Sequence, residues 1–228
     1  MVKRKYVVPG DLIVEGDLRA STNTFKIGNK IYSLRVGLAE IGNGSVRVIP
    51  LSGTYIPRVG DVVIGEVIDI SAFAWQLDIN SCFYGYLTAQ SVFGRGYSPS
   101  KYNLSNKFKI GDLLLAKIQS FDRTRDPMLS ISGPGLGPIE RGVVIKVNAM
   151  KVPRLIGKKG SMIRLIESAT KCKVILGQNG VIVVSGEPDG VSKAIEIIRL
   201  VESKAHLAEL NRMVKELIDS WGVRDADR

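Results

Sequence analysis

A chain of 228 residues, 45% of them apolar, has material for two or three small domains, each with a core of its own. Its net charge of +10 favours a polyanionic partner over a basic one. No apolar run is long enough to span a membrane and no signal-peptide core follows Met1-Val2-Lys3-Arg4-Lys5, so a soluble, unexported, cytoplasmic protein is expected. Cys82 and Cys172 stand far apart and alone, which excludes a zinc pair or a disulfide framework and predicts two reduced, buried thiols with no structural metal.

Residues 1–53 alternate short apolar runs with turn formers: Pro9-Gly10-Asp11, Ser21-Thr22-Asn23, Gly28-Asn29-Lys30, Gly42-Asn43-Gly44 and Ser52-Gly53. This is the pattern of a small all-β domain. Tyr32, Leu34, Val36 and Leu38 read as a strand in its core. No residue set there suggests chemistry, so its expected role is docking.

A second β unit occupies 54–133. Two long strands, 60–70 and 111–118, are entered through Gly-Asp turns; shorter ones fall at 73–81, 83–87 and 128–132, and a polar loop runs from Gly94 to Asn106. Five strands with one long loop predict an OB-type barrel. Alternation places Phe73, Trp75, Leu77 and Ile79 on one face, with Trp75 in the core. Gly65-x-Val67, Phe73, Gly85-Tyr86-Leu87 and Leu129-Ser130-Ile131-Ser132 after Asp122-Arg123 resemble the S-one RNA-binding domain, first described as a repeat in a ribosomal protein. That resemblance makes Phe73 a base-stacking residue. Two positions depart from it: Gln76 stands where a second surface aromatic is usual, and Thr88 where a histidine is. The charges Arg95, Lys101, Arg123 and Arg125 in the long connections are then candidate RNA contacts, or ordinary solvated charge.

Ser132-Gly133-Pro134-Gly135-Leu136-Gly137-Pro138 reads as a linker whose glycines and prolines extend neither strand nor helix. The third domain, 134–228, centres on Arg154-Leu155-Ile156-Gly157-Lys158-Lys159-Gly160. Two glycines three apart let the backbone approach a ligand closely, and the lysines between them meet phosphate there. Apolar Ile163, Ile166 and Ala169 follow at helical spacing, so the loop feeds a helix N-terminus, which also favours anions. With β-rich runs at 142–147, 172–176 and 181–184 and a helix opened by Pro188, the order is β-α-loop-α-β-β-α. It resembles the KH domain, whose Gly-x-x-Gly loop holds the backbone of about four nucleotides. Arg154, Ile156, Gly157, Lys158, Lys159 and Gly160 are its candidate RNA-binding residues. Charge concentrates around them: residues 138–186 hold nine basic and two acidic side chains, whereas 187–228 hold seven and nine.

Gly177-Gln178-Asn179-Gly180 suits a tight hairpin and reads as structural, either stiffening the third domain's sheet or supporting its contact with the neighbouring β domain. Val191, Ala194, Ile195, Ile198 and Val201 form one helical stripe, and Leu207, Leu210, Met213, Val214, Leu217, Ile218 and Trp221 a second. The one histidine, His206, has no sequence-level partner. The acidic residues form no metal-binding set and no phosphate-binding Gly-x-x-x-x-Gly-Lys-Ser/Thr occurs, so no catalytic residue and no cofactor are expected.

The fold class is thus multidomain, mainly β and then α+β: a small N-terminal β domain, an S-one barrel, and a KH domain with C-terminal helices. That order resembles the KH-bearing RNA-binding cap subunits of the RNA exosome, the ribosomal RNA processing protein four family. The strings Tyr55-Ile56-Pro57-Arg58-Val59-Gly60-Asp61, Trp75-Gln76-Leu77-Asp78-Ile79-Asn80-Ser81 and Ile175-Leu176-Gly177-Gln178-Asn179-Gly180 are similar to it too. The resemblance implies a non-catalytic subunit that passes single-stranded RNA into a hexameric ring of phosphorolytic-nuclease-like subunits, beside other cap subunits. Compactness and isoleucine richness point to an archaeal source. Two other arrangements of such modules are a transcription elongation or antitermination factor, with tandem KH domains, and a catalytic phosphorolytic nuclease, with KH before S-one.

Overall fold

The computed structural model describes residues 3–226 apart from 43, 95, 100, 101, 141, 206 and 208. The chain forms two compact units, Met1–Gly53 and Thr54–Arg228. In the first, turn residues cut the chain into strands β1 (Lys3–Val7), β2 (Leu12–Glu15), β3 (Arg19–Ala20), β4 (Thr24–Ile27), β5 (Lys30–Ser33), β6 (Gly37–Gly42) and β7 (Ser45–Pro50). They make a four-stranded sheet, β1-β6-β7-β3, and a three-stranded one, β2-β5-β4. The expected core strand through Tyr32, Leu34, Val36 and Leu38 is not one strand. Ser33 Oγ donates to Arg35 O at 2.7 Å, ending β5 in a turn that leaves Leu34 and Val36 exposed, while Ile31 and Ser33 are the buried residues of β5.

Arg4, Glu40 and Arg47 stand opposite one another across β1, β6 and β7. The buried Glu40 carboxylate accepts from Arg4 Nε at 3.0 Å and from Arg47 Nε and Nη2 at 2.9 and 2.7 Å. Hydrogen bonding from Arg47, with Arg4 adding to it against the cost of burial, holds the Glu40 carboxyl below its ordinary range. A depressed carboxyl contributes stability that is present above the unfolded-state value of about 4.3 and is lost as pH falls through the lower folded value. Glu40→Gln is therefore expected to cost about 1–2 kcal/mol at neutral pH and much less once Glu40 is protonated in strong acid. Thermal unfolding at both pH values checks this; an equal loss at both would assign the effect to packing.

The second unit begins with the barrel: β8 (Val62–Ile70), β9 (Ala74–Asp78), β10 (Tyr84–Thr88), helix α1 (Ala89–Phe93), β11 (Leu113–Ser120) and β12 (Met128–Ser130). The strand order β12-β10-β9-β8-β11, with β11 also paired to β12, closes a five-stranded OB-type barrel. Trp75, Leu77 and Ile79 lie inside it, and Trp75 Nε1 donates to Phe108 O at 3.2 Å. Phe73 does not share their face and is 62% exposed. Ser71 is the reason: its N–H donates to Ala74 O at 2.9 Å and its hydroxyl accepts from Ala74 N at 3.1 Å, so a tight turn resets the alternation before β9 begins. Cys82 is likewise exposed, since it lies in the β9–β10 connection, whereas Cys172 is buried as expected; both are free thiols.

The expected linker contributes a strand as well. β13 (Gly137–Pro138) pairs with β11, and since Pro138 has no N–H, Ile139 N donates to Leu113 O at 2.8 Å instead.

Next come β14 (Val143–Lys146), α2 (Val152–Ile156), α3 (Ser161–Thr170), β15 (Lys173–Leu176), β16 (Val181–Ser185), α4 (Pro188–Lys204) and α5 (Leu210–Ala226). The sheet order is β14-β16-β15, antiparallel throughout. The central strand explains why its sequence is apolar without interruption. Ile182 and Val184 enter the core shared with α2, α3, α4 and α5, while Val181 and Val183 pack with Ile64, Leu113 and Leu115 of the barrel.

The hairpin between β15 and β16 completes that junction. Asn179, fully buried, accepts from Ile64 N at 3.2 Å and donates through Nδ2 to Ile64 O at 2.7 Å and Ile79 O at 2.8 Å. Gln178 Oε1 accepts from Val62 N at 2.6 Å, and Asn80 Nδ2 donates to Asn179 O at 3.0 Å. Gly180 is required here: its φ is +82° and a Cβ would run into the Val147 carbonyl. Both structural roles open to this string are seen: Gly177 N donates to Val181 O and Val147 N to Gly180 O, each at 2.8 Å, tying the third domain's sheet together, while the Gln178 and Asn179 side chains hold the barrel.

Candidate nucleic-acid interface

The KH loop is built on buried anchors. Val152 and Leu155 of α2 and Met162 of α3 sit in the core on either side of residues 157–160. Pro153 stands in the first turn of α2, and Gly157 N returns to Pro153 O at 3.1 Å, ending the helix after five residues. Gly157 has φ +72° and a Cβ there would meet the Met162 backbone and Cβ at 2.8 Å, so the two helices could not turn this tightly with any other residue. Lys159 and Gly160 are both left-handed, and Arg164 Nη2 donates to Lys159 O at 3.2 Å, bracing the non-glycine residue from one turn into α3.

On this fixed backbone Arg154, Ile156, Lys158 and Lys159 are exposed. Among the described residues no carboxylate pairs with Arg154, Lys158 or Lys159, whereas nearby Lys146 reaches Asp78 at 3.7 Å and Lys151 Nζ donates to Glu202 O at 2.9 Å. Three uncompensated cations around a loop that lets a ligand come close to the backbone are suited to a chain of phosphates.

The barrel carries the other predicted contacts, and they are not gathered at one point. Phe73 lies beside the end of β10, its carbonyl accepting from Ala89 N at 2.8 Å. Arg123 and Arg125 lie exposed at the opposite end, between Phe121, which meets Phe83 edge-on at 4.9 Å, and Asp126, whose Oδ1 accepts from Tyr84 N at 3.1 Å. Asp122 shapes that loop: the Thr124 hydroxyl and N–H donate to its Oδ1 at 2.8 and 2.9 Å, and Arg125 N at 3.2 Å. These bonds, that of the Thr124 hydroxyl first, hold the Asp122 carboxyl below its usual range. Thr88, where a histidine is usual, caps α1 by accepting from Ser91 N at 3.3 Å. Arg95, Lys101 and His206 fall outside the described residues. Among the described residues no cluster of His, Cys, Asp or Glu could hold a metal ion, and no helix is long and apolar enough to cross a membrane.

Three family models match in order along the chain: the exosome RNA binding protein RRP4 N-terminal domain at residues 4–52, the RRP4 S1 domain at 54–120 and the KH domain at 142–200. The exosome complex component Rrp4 of Nitrosopumilus maritimus is 52% identical over 221 residues, spanning 96% of this chain and 98% of that protein. The chain belongs to the Rrp4 family. Rrp4 of Sulfurisphaera tokodaii is 41% identical, covering 94% of this chain and 88% of that protein. A solved structure of a candidate exosome complex RNA-binding protein superposes with a TM-score of 0.68 at 34% identity, covering 75% of this chain and 99% of that one. These Rrp4 relatives are archaeal.

Within this Rrp4-family barrel the structure also exposes two tyrosines, one of them in the Gly85-Tyr86-Leu87 string, to which the sequence assigns no RNA contact. Tyr84 and Tyr86 alternate with buried Gly85 and Leu87 on β10, and they stand opposite Asp78 and Gln76 of β9. Their signal is the period-2 pattern itself, with small and aliphatic residues inward and aromatics outward.

Proposed function

We propose that the chain is a non-catalytic RNA-binding cap subunit of an exosome, acting in the cytoplasm. It captures single-stranded RNA and guides it into a hexameric ring of 3′-5′ exoribonuclease subunits for degradation or processing. The observation that carries this reading is the KH loop: cations that have no carboxylate partner among the described residues, on a backbone fixed by Gly157, left-handed Lys159 and the Arg164 brace. Such a loop binds the sugar-phosphate chain and reads bases little. Phosphate and divalent-metal chemistry then belong to the ring.

The N-terminal domain supplies a surface for docking on that ring. Tyr6, Leu38 and Ile49 lie opposite one another across β1, β6 and β7, on the face that carries Arg4, Glu40 and Arg47, and Val8 and Val36 are exposed nearby. A sheet face with this much exposed apolar surface favours a protein partner.

Affinity purification of the tagged chain from its native extract, followed by a phosphate-dependent RNA decay assay with and without it, tests the proposal. Ring nuclease subunits are expected to co-purify, with faster or more processive decay when the chain is present. Recovery of RNA polymerase in their place, or cleavage of RNA by the purified chain alone, would overturn it.

A further inference from the structure

We propose that Glu167 selects among the bases of RNA held on the KH loop, favouring those that carry an exocyclic amine, adenine and cytosine, over uracil. This rests on the RNA-binding reading above and adds base choice to it.

From Arg141 to Gly186 the sequence holds nine basic side chains and a single acidic one, Glu167. A carboxylate in that stretch repels the phosphates that its neighbours attract, so it weakens RNA binding unless something on the RNA compensates it. Glu167 comes seven residues after Gly160, the residue that opens α3. Two helical turns place it on the same side of α3 as the loop and about 10.5 Å along the axis, within reach of the four nucleotides such a loop holds. Ile163 and Arg164 lie between them on that stripe: Ile163 Cγ2 and Arg164 Nε and Nη2 would each stand 3.8 Å from a Cβ at Gly160. The stripe thus runs from cation to half-buried isoleucine to carboxylate, the order of phosphate, base ring and base edge in a nucleotide.

The carboxylate is fixed against the open edge of the KH sheet. β15 is an outer strand of the order β14-β16-β15. Gly177 N bonds to Val181 O, and in that register Ile175 and Lys173 are the residues bonded to β16, so the N–H and C=O of Val174 and Leu176 face away from it. Glu167 Oε1 accepts from Val174 N at 3.0 Å. Covering an edge N–H in this way blunts the strand, but a neutral glutamine would do it as well, and the bond uses only one oxygen. Among the described residues Oε2 accepts no hydrogen bond, and no lysine or arginine forms an ion pair with Glu167. No buried side-chain oxygen among them lacks a partner, so Oε2 is open to a ligand. A carboxylate oxygen only accepts. Adenine N6 and cytosine N4 donate to it, whereas uracil presents O4 at the same place and is repelled. The charge that costs affinity for the backbone therefore returns it for an amine-bearing base, which is selection by penalising the wrong partner.

The test is fluorescence anisotropy with the full chain and labelled oligomers of about four nucleotides, the span of the loop, made of adenylate, cytidylate or uridylate. The unaltered chain is expected to bind the first two about tenfold more tightly than the third, the discrimination that one good base-edge contact supplies. Glu167→Ala should bring all three within about threefold of one another, chiefly by strengthening the uridylate once the repelling charge is gone. Glu167→Gln keeps an acceptor for Val174 N, and with it the fold, while its amide nitrogen can donate to uracil, so the preference should vanish there too. Lys158→Asp/Lys159→Asp should weaken the three alike, because phosphate contacts carry no base identity. Equal binding of the three by the unaltered chain, or a preference that survives Glu167→Gln in a chain with unaltered melting, would overturn the assignment, reduce Glu167 to an edge cap and leave the cap-subunit reading standing. Failure of the unaltered chain to bind any of the three at low salt would instead sink the underlying reading.

Discussion

Asn179→Ala is expected to destabilise the unit Thr54–Arg228 by about 3–5 kcal/mol, enough to lower its melting temperature by roughly 10 °C. The size follows from what the side chain satisfies. Ile64 N, Ile64 O and Ile79 O all bond to it, and Asn179 has no exposed surface through which water could replace it. Each backbone group left unpaired in a buried site costs about 1–3 kcal/mol, so three cost about 3–9 kcal/mol, and partial relaxation brings the sum to the lower part of that interval. Asn179→Asp is expected to be at least as damaging, because it keeps the acceptor for Ile64 N but turns a carboxylate oxygen towards two carbonyls. Gln178→Ala removes a bond on an exposed edge, to Val62 N, and should cost under about 1 kcal/mol. Calorimetry of the three variants checks the ranking, and Asn179→Ala should also split one transition into separate barrel and KH transitions. Equal losses for Gln178→Ala and Asn179→Ala would show that the Ile64, Val181 and Val183 contact joins the two domains without the hairpin.

That junction also shows where the sequence was legible and where it was not. Alternation and turn chemistry are local, so the barrel strands, the hairpin at Gly177-Gln178-Asn179-Gly180 and the KH element order could be read directly. The KH loop was legible because glycine spacing, lysines and the following helix fall within ten residues. Asn179 could be recognised as structural, but its partners lie about a hundred residues away, and no local pattern names Ile64 or Ile79 as the acceptors. Phe73 was misplaced on the core face because a serine-capped turn shifts the register by one residue, which a strict period-2 reading cannot sense. Leu34 and Val36 failed for the same reason at Ser33. The outward placing of Tyr84 and Tyr86 depends on the closed barrel, in which Gly85 and Leu87 are the residues of that strand that fill the interior.

Lys158→Asp/Lys159→Asp is expected to lower the slope of log affinity against log salt for single-stranded RNA by about 1.4, since each lost phosphate contact removes about 0.7. The same relation gives a loss of about 25-fold at 0.1 M salt, with repulsion from the new carboxylates adding to it. The fold should tolerate the change. Both lysines are exposed, so stability is expected to move by no more than about 0.5 kcal/mol. Lys159 is left-handed, a conformation aspartate accepts more readily than most residues, and an aspartate ahead of α3 is favoured by the helix dipole. Weaker binding with unaltered unfolding therefore separates a lost phosphate contact from a lost structure. Anisotropy titrations over a salt series make the measurement. An affinity that falls while the slope stays constant would mean that these lysines act on the loop's shape and that the phosphates are held by other cations of the KH domain.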